Sequence, residues 1–299
     1  MQRILLTGTT GQLGTELHPL LAPIAEVIAM DRGTLDFANP DAVADFVFDL
    51  KPDLIINSAA YTAVDKAESN PETAMAVNAI TPGKLAQAAQ WLGATLIHIS
   101  TDYVFNGTQS RPYLETDGTD PLGIYGQSKL LGENAIRSVL PQHLIIRTAW
   151  VYGVGGVGNF VKTMLRLGKE REEVRVVADQ VGTPTWTYDL ATAIVQFADL
   201  TLAGTLTPED FGTYHYTNSG VASWYDFAVA IFEEAQRLGV PLKVQRVIPI
   251  TTADYPTPAK RPAYSVLNCG KLSTRLGTYP PHWRQGLRQM LSAWVAVAG

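Results

Sequence analysis

Short apolar runs alternate with longer amphipathic segments over the first 180 residues of the chain. The runs are rich in Ile, Leu and Val and occupy residues 3–8, 26–31, 53–60, 94–100, 143–153 and 173–179. Unbroken apolar runs of this length are typical of strands that are buried on both faces of a parallel sheet. The segments between them carry apolar residues at helical spacing. The pattern therefore predicts an α/β fold built on a Rossmann-like, doubly wound parallel sheet.

The regular alternation ends near residue 180. The segments that follow predict a helix near 187–199, a linker rich in Gly, Pro and Thr at 203–213, an aromatic-rich helix at 223–239 and a Pro-rich stretch at 255–264. We interpret residues 1–180 as a sheet domain and residues 181–299 as a smaller C-terminal α/β lobe that closes over whatever the sheet binds. Some exchange of chain between the two is expected.

Composition excludes several classes of function. The net charge of −5 gives no basic footprint, so nucleic acid is not an expected partner. No segment approaches the roughly 18 apolar residues of a membrane span, and the N-terminus lacks the longer apolar core of a signal peptide. The single cysteine, Cys269, allows no internal disulfide and suits a reducing compartment. We predict a cytoplasmic protein without a membrane or nucleic-acid partner.

Three glycines follow the first apolar run directly. Gly8, Gly11 and Gly14 have the spacing G-x-x-G-x-x-G at the predicted start of the first helix. Glycines there permit a tight turn and a close approach of a diphosphate to the backbone, and the helix N-terminus supplies free N–H groups. The placement predicts a site for a dinucleotide such as NAD(P), with residues 1–180 as the binding domain.

The residues that end the next two runs leave the cofactor preference open. Asp31 can accept the hydroxyls of an adenosine ribose, which favours NAD, whereas Arg32 can pair with the 2′-phosphate of NADP. The expected cofactor is therefore NADPH or NADH. Ala59 and Ala60 would let the nicotinamide half pass, although small residues at this position also suit tight packing alone.

Tyr125 and Lys129 lie four positions apart, so both would project from one face of a helix. A nearby ammonium would lower the pKa of the phenol toward that of a useful general acid. A hydroxyl at the end of the fourth run, Ser100 or Thr101, would face the same crevice. A hydroxyl, a phenol and a lysine together predict hydride transfer to a carbonyl whose oxygen the protein protonates. A surface helix that carries an aromatic and a charge is the alternative.

Several longer motifs extend this pattern over the whole chain. They lie at residues 62–68, 100–105, 125–133, 147–153, 159–165, 224–228 and 255–268. With the glycine spacing and Y-x-x-x-K, they resemble the dTDP-4-dehydrorhamnose reductases, a family of the extended short-chain dehydrogenase/reductase superfamily. The resemblance implies NAD(P)H-dependent reduction of the C4 ketone of dTDP-4-dehydro-β-L-rhamnose to dTDP-L-rhamnose, the last step of dTDP-rhamnose synthesis.

The resemblance also implies roles for individual residues. Tyr125 would be the proton donor, Lys129 its partner and a ligand of the nicotinamide ribose, and Thr101 a hydrogen-bond partner of the 4-keto oxygen. The implied cofactor contacts are Gly11, Gln12, Leu13, Asp31, Asp36, Phe37, Ala60, Tyr61 and Thr62. The implied sugar pocket includes Asp102, Val104, Phe105 and Trp150.

The diphosphate of a nucleotide-sugar needs a cationic site. Lys260 and Arg261 lie in a Pro-rich loop and are our candidates, because guanidinium groups match phosphate geometry. Arg147 and Arg166 are weaker candidates that carboxylates could neutralise. His98 lies between two isoleucines and is interpreted as a satisfied core histidine. Trp150 would equally suit a buried aromatic position.

The chain departs in one respect from the family that it resembles. Some members pair around a divalent ion held by acidic side chains, and Glu16 lies in the corresponding region. The last predicted helix, 283–299, contains no acidic residue. We therefore predict no catalytic metal, and a monomer or weak homodimer.

Two other classes of function remain open from sequence, namely a dehydratase or epimerase and a regulatory subunit. A nucleotide-sugar dehydratase of this superfamily carries an Asp-Glu pair after the threonine, but here Tyr103 follows Asp102. An epimerase would keep its nicotinamide tightly bound. A non-catalytic, cofactor-binding regulatory subunit would not need the tyrosine, lysine and hydroxyl together.

Overall fold

The computed structural model describes residues 1–298, which contain twelve strands and eleven α-helices. In chain order, β1 to β12 are Arg3–Thr7, Glu26–Met30, Leu54–Asn57, Thr95–Thr101, His143–Thr148, Val151–Tyr152, Glu173–Val177, Val181–Gly182, Thr185–Trp186, Gly212–His215, Ala222–Ser223 and Arg246–Ile250. In the same order, α1 to α11 are Gln12–Leu21, Pro40–Leu50, Val64–Ala67, Pro71–Met75, Thr81–Leu92, Ile124–Val139, Phe160–Glu170, Thr187–Leu202, Trp224–Arg237, Gly270–Leu276 and Trp283–Ala298. A π-helical turn, Ala76–Ile80, joins α4 to α5.

Six strands form one parallel sheet in the order β2–β1–β3–β4–β5–β10. The chain passes from β1 outward to β2 and then crosses to β3 on the other side of β1. A crevice opens at such a reversal, outside the carboxyl ends of the strands. The predicted doubly wound α/β fold is confirmed, and its crevice lies between β1 and β3.

Helices cover both faces of this sheet, as the apolar runs predict. Ile4 and Leu6 of β1 pack toward α1 and α8, whereas Leu5 packs toward α2 and α5. Successive side chains of a strand point to opposite faces, so an unbroken apolar run packs against the helices on both faces of the sheet. None of the helices in residues 1–298 is both long and apolar enough to cross a membrane.

A second hydrophobic core belongs to the smaller lobe. It lies between α7, α9 and α11, with Phe227, Ile231 and Leu287 fully buried in it. The run at 173–179 forms β7, but this strand pairs with β12 in a separate two-stranded sheet instead of joining the main sheet.

The chain after residue 180 returns to the main sheet. β10 lies where the linker at 203–213 was predicted to end, and it extends the sheet beside β5. The prediction of a linker is wrong for its last two residues, because a four-residue strand carries little pattern of its own and obtains its partners from the edge of β5. α8 packs on α1 in the core of the sheet. A cut at residue 180 therefore does not separate the two cores.

Candidate active site

The glycine turn forms a close-fitting cradle at the carboxyl end of β1. Gly8 has a φ of 74°, and a Cβ there would lie 2.7 Å from the backbone N of Ala59. A Cβ on Gly14 would lie 2.2 Å from the carbonyl oxygen of Gly8. No side chain caps the start of α1 at Gly11. The first N–H groups of α1 are thus available to an anion, and the cradle fits the diphosphate of a dinucleotide.

Asp31 and Arg32 lie beside the cradle, and their side chains differ in how far the protein itself already binds them. The Asp31 carboxylate accepts hydrogen bonds from the backbone N–H groups of Gly33 (2.9 Å) and Thr34 (3.1 Å), so it stabilises its own turn. Within residues 1–298, Arg32 forms no ion pair with any acidic side chain, and it is exposed at the pocket wall. Its guanidinium is thus available to a phosphate.

Two glycines let α6 lie unusually close to its neighbours. A Cβ on Gly126 would lie 2.2 Å from the carbonyl oxygen of Tyr103, and one on Gly132 would lie 2.1 Å from that of Asn78. The Glu68 carboxylate accepts a hydrogen bond from the N–H of Ile124 (2.9 Å) at the start of α6. These contacts fix the helix that carries Tyr125 and Lys129.

Tyr125 lies half-buried against the end of β4. The pKa of its phenol is raised to about 12, because loss of hydration outweighs the hydrogen bond with Thr101, and the neighbouring Asp102 charge adds to the rise. The sequence prediction that Lys129 lowers this pKa does not agree with the structure, in which loss of hydration is the largest effect and the ammonium is not among the causes. The phenol is fully protonated at neutral pH and is equipped to donate.

Lys129 is also buried, with only 1% of its surface exposed. Its Nζ donates to the carbonyl oxygen of Ile99 (2.6 Å) and lies 3.2 Å from His98 Nε2. Burial lowers the pKa of this amine to about 8, while the charge of Glu133 one turn along α6 raises it. Both protonation states are thus within reach near neutral pH.

Thr101 and Asp102 form the floor between the phenol and the lobe. Thr101 Oγ1 donates to Asp102 Oδ1 (3.0 Å) and accepts from the N–H of Tyr103 (3.2 Å). Asp102 is 2% exposed and forms part of the cavity wall. Hydrogen bonds from Thr101 and Ser265 to its carboxyl lower its pKa and partly oppose the effect of burial, which raises it.

The lobe contributes an aromatic wall. The Trp150 and Trp224 rings stack with centroids 3.5 Å apart and planes 5° from parallel. Trp150 has a φ of 50°, a conformation that a bulky side chain seldom adopts and that marks functional positions. The stack reaches the pocket, so Trp150 is part of the pocket wall as well as of a packed aromatic cluster.

One continuous cavity of about 1830 Å³ connects the cradle, the phenol and the aromatic wall. Pockets for single small molecules usually have about 300–1,000 Å³, so this cavity has room for two large ligands. Its walls include the predicted residues Gly8, Gly11, Gln12, Leu13, Gly14, Asp31, Arg32, Asp36, Phe37, Ala60, Tyr61, Thr62, Thr101, Asp102, Tyr125, Lys129, Trp150 and Arg261.

Comparisons with known proteins agree with this geometry. Residues 1–295 match the family model described as RmlD substrate binding domain. The dTDP-4-dehydrorhamnose reductase of Escherichia coli (strain K12) is 46% identical over 97% of each chain. The chain belongs to the RmlD substrate binding domain family.

Solved structures of the same family are similar over nearly the whole chain. A dTDP-4-dehydrorhamnose reductase from Clostridium acetobutylicum ATCC 824 has a TM-score of 0.89 and 44% identity, covering 98% of this chain and 99% of its own. The enzyme of that name from Bacillus anthracis str. Ames, solved in complex with NADP, has a TM-score of 0.89 and 39% identity, covering 98% of this chain and 100% of its own. The resemblance stated from sequence is confirmed.

The cations predicted for the diphosphate differ in their surroundings within this RmlD-type chain. Arg261 reaches the cavity, but its guanidinium also pairs with both oxygens of Asp65 (2.9 and 3.0 Å). Lys260 is exposed and lies outside the cavity wall. Arg147 is buried and pairs with Glu133 at 2.7 Å, as the alternative interpretation of that arginine expected.

Arg166 pairs with Glu170 at 3.1 Å on the exposed side of α7, yet it also reaches the cavity wall. Arg171 and Arg175 line the same part of the cavity. The sequence did not single out these two, because an arginine just after a helix (Arg171) or at an exposed strand position (Arg175) has no pattern that distinguishes it from a solvated charge.

Val104 and Phe105 do not reach the cavity. Both are buried in a small cluster with Tyr113 and Leu267, and Phe105 stacks on Tyr113 with centroids 4.1 Å apart. The prediction that they touch substrate is not supported by their placement, because the 3₁₀ turn that starts at Asp102 directs both side chains into the protein.

Sequence reasoning missed two polar contributors. Asn78 in the π-helical turn is fully buried, accepts a hydrogen bond from the N–H of Tyr61 (2.8 Å) and donates to Ser128 (3.1 Å) on α6. Asn159 donates to Gln12 (2.7 Å) at the start of α1. A buried Asn within an apolar helix is a usable signal, and π-helical turns frequently occur at functional sites.

Asp102 should make the stability of the protein depend on pH. Burial raises the pKa of its carboxyl from 3.8 to about 6, so ionising it disfavours the folded state once the pH rises above about 4. This cost grows up to pH 6 and amounts to roughly 3 kcal/mol, at about 1.36 kcal/mol per pH unit. We expect Asp102→Asn to gain about that much relative to the parent protein between pH 4 and pH 7.5. Urea unfolding at both pH values measures it, and an equal difference at the two would contradict the raised pKa.

Proposed function

We propose that this protein uses NAD(P)H to reduce the C4 ketone of dTDP-4-dehydro-β-L-rhamnose to dTDP-L-rhamnose, as the last step of dTDP-rhamnose synthesis. The observation that carries the proposal is the convergence of Tyr125, Thr101 and Lys129 on one cavity that also contains the glycine cradle. Membership of the family and relatives named dTDP-4-dehydrorhamnose reductase support the substrate.

The nicotinamide cofactor would supply a hydride to the carbonyl carbon. Tyr125 then gives its proton to the carbonyl oxygen. Although its pKa is about 12, a phenol is a much stronger acid than the alcohol that forms, so the transfer is downhill. The hydrogen bond with Thr101, which lowers the pKa of the phenol, favours the phenolate that forms.

Thr101 and Asp102 would orient the sugar. Thr101 Oγ1 lies beside the phenol and can turn its proton from Asp102 Oδ1 to a carbonyl oxygen. Asp102 lies in the cavity wall beside Thr101 and would then accept a sugar hydroxyl. Held between these groups and the Trp150 ring, a ketone would present one face to the cofactor side of the cavity.

For the nucleotide half, Arg261 and the arginines of the lobe wall supply positive charge to a diphosphate. We infer a monomer or weak homodimer in the cytoplasm, acting on a small molecule and not on nucleic acid. The single cysteine and the net charge of −5 support this inference.

The test follows the absorbance of reduced nicotinamide with NADPH and with NADH while the keto-sugar is generated in place by an upstream dehydratase and epimerase. We expect oxidation that requires every component, with dTDP-L-rhamnose as the product identified by chromatography. Binding of either cofactor without turnover would instead support the regulatory alternative. Protein purified with stoichiometric tightly bound nicotinamide would support an epimerase.

Arg32 should discriminate between the two cofactors. Because its guanidinium is not paired with a described carboxylate, it is available to a 2′-phosphate, which NADH lacks. We expect Arg32→Ala to raise the KM for NADPH by roughly 10-fold or more, as charged hydrogen bonds contribute about 1.5–3 kcal/mol, and to change that for NADH by less than about threefold. Steady-state kinetics with both cofactors measures the ratio. Equal changes in the KM values for NADPH and NADH would show that Arg32 does not contact the 2′-phosphate.

A further inference from the structure

A row of four buried polar side chains crosses the sheet beneath the crevice. It consists of Thr7 on β1, Asn57 on β3, His98 on β4 and Lys129 on α6, each at most 1% exposed. The linking distances are 2.8 Å from Thr7 Oγ1 to Asn57 Oδ1, 3.0 Å from Asn57 Nδ2 to His98 Nδ1 and 3.2 Å from His98 Nε2 to Lys129 Nζ. His98 lies between Ile97 and Ile99 in a core strand, where an aliphatic side chain would be expected without a polar partner.

The hydrogen bonds of this row can all point in either direction along it, depending on which atoms carry the protons. A charged Lys129 can only donate hydrogen bonds, so His98 Nε2 must be unprotonated in order to accept one, and Nδ1 must carry the proton of the neutral ring. Asn57 must then turn its oxygen to Nδ1 and its nitrogen to Thr7. With a neutral Lys129 amine the order reverses, since Nε2–H donates to Nζ and Nδ1 accepts from Asn57 Nδ2. A hydroxyl, an amide and a neutral imidazole can each serve in both directions.

We propose that His98 is a positioning residue for Lys129, and that the reversible row behind it keeps the lysine hydrogen-bonded in the same place in both of its protonation states. Lys129 Nζ can form three hydrogen bonds, and Ile99 and His98 take up two of them. The third is left to point into the crevice, where Lys129 forms part of the wall.

The electrostatic surroundings favour this assignment. Burial and the Lys129 charge lower the pKa of His98 well below its usual value, with a smaller contribution from Arg137, so the ring stays neutral. Burial also brings the pKa of Lys129 to about 8. The charged group that acts on Lys129 is Glu133 on its own helix, and Arg147 from β5 holds Glu133 in place.

Removing His98 should shift the ionisation of Lys129 in a defined direction. The ammonium would lose an acceptor and the neutral amine would lose a donor. Hydrogen bonds to charged groups are about twice as strong as neutral ones, so the ammonium loses more. The pKa of Lys129 therefore falls. We expect the basic limb of the pH profile of kcat/KM to move down by roughly 0.5–1 pH unit in His98→Leu.

His98→Gln supplies the rescue, because its amide reaches toward Nζ and can accept or donate there. The basic limb of the kcat/KM profile of His98→Gln should lie close to that of the parent protein. His215→Leu is the matched control, since His215 is equally buried and interacts with Tyr113, not with Lys129. A basic limb in His98→Leu that coincides with those of the parent and His215→Leu would overturn the proposal.

The kinetic experiment rests on the proposed function, so a second measurement tests the row without turnover. Nitrogen NMR of the full-length protein with ¹⁵N-labelled histidine reports which ring nitrogen of His98 carries the proton, with His98→Gln giving the assignment. We expect the Nδ1–H form at pH 6.5 and conversion to the Nε2–H form above about pH 9 as Lys129 loses its proton. A single tautomer throughout, or an imidazolium at pH 6.5, would refute the reversible row even if the enzyme proved active. Absence of turnover together with the tautomer change would reject only the function.

Discussion

Tyr125→Phe is expected to lower kcat by roughly 10²-fold or more while cofactor binding changes little. The substitution removes one oxygen atom and leaves the ring in its edge-to-face contact with Tyr103, where the ring centroids are 5.4 Å apart. Positioned proton donors contribute about 10²–10⁴ to catalytic rates, and Tyr125 is the phenol that hydrogen-bonds with Thr101 at the cavity wall. Steady-state kinetics with the keto-sugar and a titration with NADPH measure the two effects separately.

Tyr103→Phe is the matched control for this substitution. Tyr103 is a neighbouring phenol in the same cavity, but it contacts Thr101 through its backbone N–H, whereas Tyr125 does so through its phenol. We expect the control to lose less than about tenfold in kcat, as it removes no proton donor. If Tyr125→Phe kept near-normal turnover, or lost no more than the control, the assignment of the proton donor would fail.

Lys129→Met should damage both catalysis and cofactor affinity. Methionine fills a similar volume without the charge, so the cofactor side of the cavity would lose its buried ammonium, together with the hydrogen bonds to Ile99 and His98 that hold it in place. We expect kcat to fall by roughly 10²-fold, within the range for acid–base assistance, and the Kd for NADPH to rise by about 10-fold, as for the loss of one charged hydrogen bond.

Lys84→Met provides the comparison, because Lys84 lies on the outer surface of α5 and pairs with Asp41 at 2.8 Å. It should change neither parameter, since exposed ion pairs contribute at most about 1 kcal/mol to stability and none of this reaches the crevice. If Lys129→Met lowered kcat but left the Kd for NADPH unchanged, the lysine would contribute to catalysis and not to cofactor binding.

The sheet could be predicted from sequence because its strands are buried on both faces and therefore appear as unbroken apolar runs. The edge could not. β10 is four residues long and depends on β5 for its partners, and β7 has the same composition as a sheet strand although it pairs with β12. Local pattern identifies a strand, but pairing over long sequence separations is decided by what packs around it.

Most of the candidate site was also visible, because the glycine turn and the Tyr125–Lys129 spacing are local. What remained hidden depends on contacts between elements. Asn78 matters because Gly132 brings α6 against it, and the high pKa of Tyr125 results from burial that no local spacing reveals. His98 was correctly interpreted as a satisfied core histidine, but its partner Lys129 was not foreseen.

The course of the chain between the two cores restricts how such a protein can change. After β5 the chain enters the second core with α7, returns to the first with α8 and β10, leaves again for α9 and β12, and returns with α10 before ending in α11. No contiguous piece therefore holds one core alone. Recombination cannot exchange the lobe as a cassette, as it can in enzymes with consecutive domains. New sugar specificity must instead arise by point substitution in the cavity wall, with the interleaved scaffold inherited whole.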